Sequence, residues 1–546
     1  MSTKGMIRST WGVGALTLLS RLLGLVRDKG LVLVFGASPG VLDAFLLAFT
    51  IPNLFRRLFG EGALSSAFIP AFIDVRENRS AEEGNRLASA VATGLFLLLS
   101  GLTLLGIALC FLGWTAAGEG SRHALPLRLT AVMLPFLVFI CLSALGSGML
   151  QGVRSFALPA AMPVSLNVML LAALAYIHWR AGGAPLASSV FYVAFAVVAA
   201  GLFQVLLQAA ALRGHGVRLR FLPAFGDEGL MRVFRAMGPT VVGLAVFQVN
   251  VLVDRLIAYL LIPGTGALTH LYLGNRLMQF PLALFGIALA TTAFPEIVSH
   301  TTRKEWDALF QKIATGVRFL AFVMLPASFG LMVLAGPVVR MIFQEPDLVF
   351  SDAAVYQSAL VLACYAPGLF FIGLQLLFVR IFYARGDYKT PVRVTAAMVV
   401  MNLLLNLLLI RAPDLYRRWA LGETAARLGE GGLALSTSIV SLLTAGWMWR
   451  LVRREVRERK VREAWERAFR PVFASVARIL VAALASGYFT YRVVLSIPRE
   501  PELLMRLERG LVPVAAGVLA YVIFCYIFEV PEVEEFLWGK KPLKKE

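Results

Sequence analysis

The feature that most constrains this chain is an apolar run of roughly twenty residues that recurs from the neighbourhood of Trp11 to Phe528. Such a run is long enough to cross the ~30 Å hydrocarbon core of a bilayer, where backbone polar groups find no water, so it must satisfy them internally as a helix. About fourteen spans fit the pattern. Strands of a transmembrane barrel would alternate apolar and polar residues, whereas these runs are continuous in Leu, Ala and Val and are separated by short polar connections. With 58% hydrophobic and only 16% charged residues, the expected fold class is an all-α polytopic membrane protein. The first run carries arginine and leads directly into further spans, so it reads as a membrane helix and not as a cleaved leader.

The formal net charge of +19 raises the question of nucleic acid, but the basic residues form no single patch interleaved with aromatics, and a nucleic-acid partner is not expected. They mark sidedness instead. An N-terminus in the cytoplasm places Arg76, Arg79 and Arg86 inside, then Arg213, Arg218 and Arg220, then Arg303 and Lys304, then Arg385 and Lys389, and finally the run from Arg450 to Arg462. The lysine-rich tail, Lys540 to Lys545, falls on the same side, so both termini are expected to be cytoplasmic. The opposite connections are nearly free of Lys and Arg, apart from the mixed-charge segment Arg411 to Glu430.

Several chemistries find no support. Cys110, Cys141, Cys364 and Cys525 are scattered through apolar runs and read as small buried hydrophobes. The histidines lie far apart with no HExxH spacing, so no metal centre is expected. Gly12 to Gly14 lacks the preceding strand and third glycine of a dinucleotide fingerprint. No nucleophile with a neighbouring base is readable.

The chain repeats itself. LFGEGALSSAFIP, Leu58 to Pro70, and LFGIALATTAFPE, Leu284 to Glu296, share Leu, Phe, Gly, Ala and Phe at one constant offset, with Ser65 and Ser66 meeting Thr291 and Thr292. The same offset pairs Gly12 with Gly238, Asp28 with Asp254 and Lys29 with Arg255, and a slightly larger one pairs Pro135 with Pro367. Preserved polar and glycine positions indicate a duplication. Each copy holds about six spans, so the second starts on the same side as the first, giving two parallel six-helix repeats around a central cavity. The expected organisation is a lobe over residues 1–226, a second over 227–455, and over 456–546 a basic linker, two appended spans and the tail.

Polar residues interrupt the first two spans of each copy, where charge costs about 2.5–3.5 kcal/mol at mid-helix. The first span carries Arg21, Arg27, Asp28 and Lys29, and the second Asp43, Asn53, Arg56, Arg57 and Glu61. Asn250, Asp254 and Arg255, then Asn275, Arg276 and Gln279, follow in the second copy. Snorkelling or internal ion pairing accounts for Lys29, for a share of Arg27 with Asp28, and for Arg57 if it pairs with Glu61 one turn on. It accounts less well for Arg21, Arg56, Arg255 and Arg276, whose planar forks suit phosphate or carboxylate oxygens of an anionic cargo in a wet cavity.

Three segments carry a family resemblance: SRLLGLVRD, DAFLLAFTIPNLFRRLFGEGALSSAFIP from Asp43 to Pro70, and NRLMQFPLALFGIALATTAFPEI from Asn275 to Ile297. The chain resembles, over nearly its whole length, the MurJ (MviN) lipid II flippases of the multidrug/oligosaccharidyl-lipid/polysaccharide exporter superfamily. The resemblance implies translocation of lipid II, the lipid-linked peptidoglycan precursor, across the bacterial cytoplasmic membrane by alternating access, with lipid II and membrane lipids as partners. It implies that Arg21, Arg27, Asp28, Asp43, Asn53, Arg56, Glu61 and Arg276 line the substrate cavity, and that Arg255 matches a cavity arginine found in part of the family. It also implies a groove for the lipid tail along the last two spans. Some relatives use a sodium site with an acidic residue early in the seventh span, and Met231 to Gln248 contains no Asp or Glu. No cofactor is expected, and a coupling ion or the membrane potential stays open as the energy source. The alternative cargo is another polyprenyl-linked oligosaccharide or a drug. A membrane enzyme would need catalytic carboxylates, a histidine or a metal at the membrane surface, and none is readable.

Overall fold

The apolar runs fold as helices. The computed structural model describes residues 3–36, 40–58, 64–118, 120–181, 187–223, 226–262, 264, 266–344, 350–414, 427–458, 461–497 and 503–537. Among these are eighteen α-helices, and the only strand-like feature is an isolated bridge between Pro413 and Arg427. The chain forms two units, Met1–Leu256 and Ile257–Glu546.

The first unit contains α1 (Thr3–Phe35), α2 (Val41–Phe55), α3 (Leu64–Asn78), α4 (Ala81–Ala117), α5 (Ala124–Met133), α6 (Pro135–Gly152), α7 (Ala157–Ala181), α8 (Val190–Gly214) and most of α9 (Glu228–Leu261). Here α1 packs along α7, and α6 packs on α8. Gly201 lets α8 approach α6, since a Cβ there would lie 2.7 Å from the Phe136 ring. Beside it Gln204 and Gln208, both buried, bridge the helices: Gln208 Nε2 donates to Ser143 Oγ and Ser147 Oγ at 3.0 Å each, and Gln204 Nε2 donates to the Met162 carbonyl at 2.9 Å. Such pairing is what makes amides tolerable inside a membrane bundle. At the start of α4, Ser80 Oγ accepts from the Glu83 amide at 3.1 Å, with Glu82 and Glu83 in the first turn, which is the pattern that satisfies and charge-matches a helix N-terminus.

The second unit contains α10 (Ala267–Pro281), α11 (Ala288–Thr302), α12 (Trp306–Phe343), α13 (Asp352–Tyr365), α14 (Gly368–Ala384), α15 (Lys389–Leu409), α16 (Glu430–Glu458), α17 (Arg462–Ser496) and α18 (Leu503–Ile527). Helix α12 packs lengthwise on α17, and α14 and α15 pack on α16. Gly432 brings α16 against the α15 backbone, because a Cβ there would lie 2.5 Å from the Leu409 carbonyl. Buried Asn402 and Asn406 hydrogen-bond with Ser436 across the same contact. After α18 the chain folds back: Arg318 of α12 pairs with Glu532 and Glu535, and Ser475 of α17 donates to Glu532.

The helix order recurs in a way that matches the sequence repeat. In the first copy α5 and α6 meet at Leu134–Pro135, and in the second α13 and α14 meet at Ala366–Pro367 with a bend of 43°, as expected where proline removes a backbone donor. Residues 56–58 and Leu282–Ile287 both adopt π-helical turns, and these begin at positions related by the offset that aligns Leu58 with Leu284. Among the described residues ten helices are long and apolar enough to cross a membrane, or eleven with α13 and α14 counted as one bent span. The count of about fourteen expected from the sequence also takes in the stretches of α1, of α2 with α3, and of α9, which are not among those.

Candidate functional site

The polar residues of α1 are drawn into a bonded set. Arg27 Nε and Nη2 donate to Asp28 Oδ1 at 3.0 and 2.6 Å, and Arg27 Nη1 donates to Asn167 Oδ1 on α7 at 3.0 Å. Asn167 Nδ2 in turn donates to the Ser20 carbonyl at 3.0 Å. Asp28 and Asn167 are both buried, so one amide ties two successive turns of α1 to α7. A buried carboxylate needs this compensation. Arg21, the residue after Ser20, is exposed on α1.

On α2, Asp43 is buried in the first turn. Further along, Arg56 Nε donates to Asn53 Oδ1 at 2.9 Å, the contact that i, i+3 spacing allows on one helix face. The sequence offers Glu61 as a partner for Arg57, and Glu61 lies outside the described residues. Arg57 lines a narrow cleft between α2 and α9, with room for about one water, formed by Thr50, Asn53, Leu54 and Arg57 with Gln248, Val251 and Arg255. Arg255 Nη1 donates to Thr50 Oγ1 and, at 3.4 Å, to the Leu46 carbonyl. Thr50 Oγ1 donates to the same carbonyl at 2.7 Å. Thus a hydroxyl of α2 sets the position of an arginine on α9.

Thr50, Asn53, Leu54 and Arg57 follow i, i+3, i+4, i+7, and Gln248, Val251 and Arg255 follow i, i+3, i+7, so each helix presents one stripe to the cleft. Among the described residues its lining holds two guanidinium groups, two amide side chains and a hydroxyl, and no carboxylate. Such a set of donors is suited to anionic oxygens. Asp254 is adjacent in sequence and is engaged by Asn250, whose Nδ2 donates to Asp254 Oδ2 at 3.4 Å.

The structure therefore brings Asn53, Arg56 and Arg255 to one region of the first unit, and Arg27 and Asp28 to another set on α1. Arg276 belongs to the second unit, half-buried on α10 one turn before the π-helical segment, where neighbouring Gln279 donates to Asn275. Thr50, Gln248 and Asn167 were not singled out from the sequence. The stripe spacing on α2 was available as a signal for Thr50, while Asn167 and Gln248 depend on contacts between distant helices.

Apolar helices of membrane-crossing length, several of them bearing arginine, define the class as a polytopic membrane protein. The family model for lipid II flippase MurJ matches residues 31–491, and the chain belongs to that family. It is 32% identical over 463 residues to a probable lipid II flippase MurJ of Vibrio cholerae serotype O1, covering 82% of this chain and 83% of the relative. It is 32% identical over 452 residues to the lipid II flippase MurJ of Burkholderia cenocepacia, covering 81% and 82%. A solved structure of lipid II flippase MurJ in an inward closed conformation superposes with a TM-score of 0.72 at 21% identity, covering 94% of this chain and 98% of the other. A multidrug resistance MATE family transporter of the MOP superfamily, in an inward-facing conformation, gives 0.64 at 14% identity with 82% and 98% covered. Both solved structures share the fold.

Proposed function

We infer that this protein flips lipid II across the bacterial cytoplasmic membrane. Family membership over most of the chain supports the reading, and the single observation that carries it structurally is the cleft between α2 and α9, whose described lining has two arginines and no carboxylate. A lipid-linked diphosphate with a sugar-peptide headgroup cannot enter hydrocarbon bare, because its charges would lose hydration without replacement. Guanidinium forks at Arg57 and Arg255, supported by Asn53, Gln248 and Thr50, would replace that hydration for headgroup oxygens once α2 and α9 part to widen the cleft. Arg21, Arg56 and Arg276 extend the same chemistry in the working arrangement, while Arg27 with Asp28 holds α1 in place.

The architecture that goes with this reading is two parallel repeats, 1–226 and 227–455, enclosing a cavity opened to each side in turn, with 456–546 appended and both termini cytoplasmic. The cavity must hold the headgroup about equally well when open to either side, because cargo bound far more tightly in one state would trap the protein in it. The test uses Arg56→Ala and Arg276→Ala in purified protein reconstituted with labelled lipid II. Each variant is expected to lose headgroup transfer at least about tenfold while inserting and melting like the parent, a loss equivalent to ~1.4 kcal/mol or more. Transfer retained in both would remove these arginines from the mechanism. Competition between lipid II and other polyprenyl-linked sugars for binding decides the cargo, and equal competition would favour a broader exporter.

A further inference from the structure

Helix α16 has 29 residues, about 43 Å of helix against a ~30 Å hydrocarbon core, so one of its ends must stand in the headgroup region. Its buried N-terminal residue Glu430 is bonded to His270 at 2.7 Å. Its C-terminal half has a different outer face. Leu443 and Trp447 are exposed there, 42% and 39%, and between them Gly446 leaves open space where a Cβ would meet nothing within 4 Å. The same helical face continues into Arg450, Arg454 and Arg457, with Arg453 at its flank, all four exposed. An apolar strip topped by tryptophan therefore runs directly into an arginine strip.

Neighbouring arginines are neutralised by protein carboxylates. Arg462 and Arg467 of α17 pair with Glu466 and Asp307 at 2.6 and 2.8 Å. On α16 the carboxylate of Glu455 is engaged by Arg385 of the turn after α14. Among the described residues, no ion pair involves Arg450, Arg453 or Arg457. The strip is also held rigidly, because Trp449 packs edge-on against Phe469 at 5.0 Å and lies 4.9 Å from Trp465. Helix C-terminal carbonyls favour cations only within the last turn, and Arg450 lies two turns from the end of α16.

We propose that the C-terminal end of α16 is a binding site for an anionic phospholipid. Arg450, Arg453 and Arg457 hold the headgroup phosphate, and the acyl chains lie along Leu443, Gly446 and Trp447. Charge complementarity chooses the headgroup, since clustered Lys and Arg beside a membrane span attract anionic lipid. The continuous apolar strip distinguishes a lipid from a free phosphate ester.

The experiment is native mass spectrometry of the purified full chain titrated with phosphatidylglycerol, phosphatidylcholine or lipid II, beside the variant R450Q/R453Q/R457Q. The parent is expected to bind phosphatidylglycerol at least about tenfold tighter than phosphatidylcholine, and the variant to lose that preference while its lipid II affinity stays unchanged. Glycerol 3-phosphate at millimolar concentration should not displace the bound lipid. Should the variant fail to fold, a salt titration of the parent answers the same question: affinity for phosphatidylglycerol must fall with salt while that for phosphatidylcholine holds. Equal affinity for the two phospholipids, no weakening by salt, or displacement by glycerol 3-phosphate alone would overturn the proposal. Loss of lipid II binding in parallel would reassign the arginines to the cargo and overturn it too.

Discussion

Asn167 holds α1 by both ends of one amide, accepting from Arg27 and donating to the Ser20 carbonyl. Asn167→Ala would leave a guanidinium nitrogen and a carbonyl without those partners, and the expected cost is about 1–3 kcal/mol of stability. Thermal unfolding in detergent measures it; an unchanged melting temperature would mean that α1 is held by other contacts. Outside the membrane spans, Asp387 Oδ1 accepts from the amides of Lys389 and Thr390 at 3.1 and 3.0 Å and so caps α15. Partial burial alone would raise its pKa, but the hydrogen bonds from Thr390 and Lys389 and the charge of Arg393 outweigh it and hold the carboxyl below its usual value. Because the folded state favours the ionised form, this contribution is present above the ordinary carboxylate range and is lost as pH falls through the lowered value. Asp387→Asn keeps an acceptor but should flatten that acid-side dependence, while Asp387→Ala should cost about 1 kcal/mol at neutral pH. Equal acid sensitivity of the parent and Asp387→Asn in pH-dependent melting would assign the dependence to other groups. Contacts within one helix were legible from spacing: Asn53 with Arg56 and Asn250 with Asp254 are set by the helical repeat. Asn167 with Arg27 and Thr50 with Arg255 were not, because each joins helices far apart in sequence.

Glycine and proline shape the elements. Gly432 lies where α16 meets the Leu409 carbonyl, whereas Gly446 on the same helix has open space around it. Gly432→Ala is therefore expected to destabilise by about 1–3 kcal/mol through overpacking, and Gly446→Ala to stay within about 0.5 kcal/mol of the parent. Equal melting of the two variants would show that the α15–α16 approach is not as tight as its geometry requires. The π-helical turn at 56–58 begins at Arg56, which bonds Asn53, and the turn at Leu282–Ile287 begins three residues after Gln279, which bonds Asn275. Turns of this kind frequently mark functional positions in helices, and here they recur with the duplicated sequence. The proline breaks were legible because Pro135 and Pro367 align. The π turns were not, since Leu, Phe and Gly carry no signal that separates an α turn from a π turn.

At the scale of the molecule, the bilayer made the fold class readable: backbone groups in hydrocarbon leave apolar runs little choice except helix. The same rule explains which helices depart from the apolar pattern. Helices α1, α2 and α9 carry charge because their polar stripes have partners within the protein, as Arg27 has Asp28 and Asn167, and as Arg255 has Thr50. The candidate site was legible as a set of residue types on the first two spans of each copy, and less so as a geometry. Arg56 bonds to Asn53 and Arg57 lines the cleft, placements that residue types alone do not give. The central claim is that this family member moves a lipid-linked diphosphate between leaflets without altering it. Purified protein in vesicles with labelled lipid II tests this most directly, following the fraction of headgroup reachable from outside. The account predicts exchange faster than in protein-free vesicles with the lipid recovered chemically intact; exchange no faster than in empty vesicles, or recovery of a modified lipid, would contradict it.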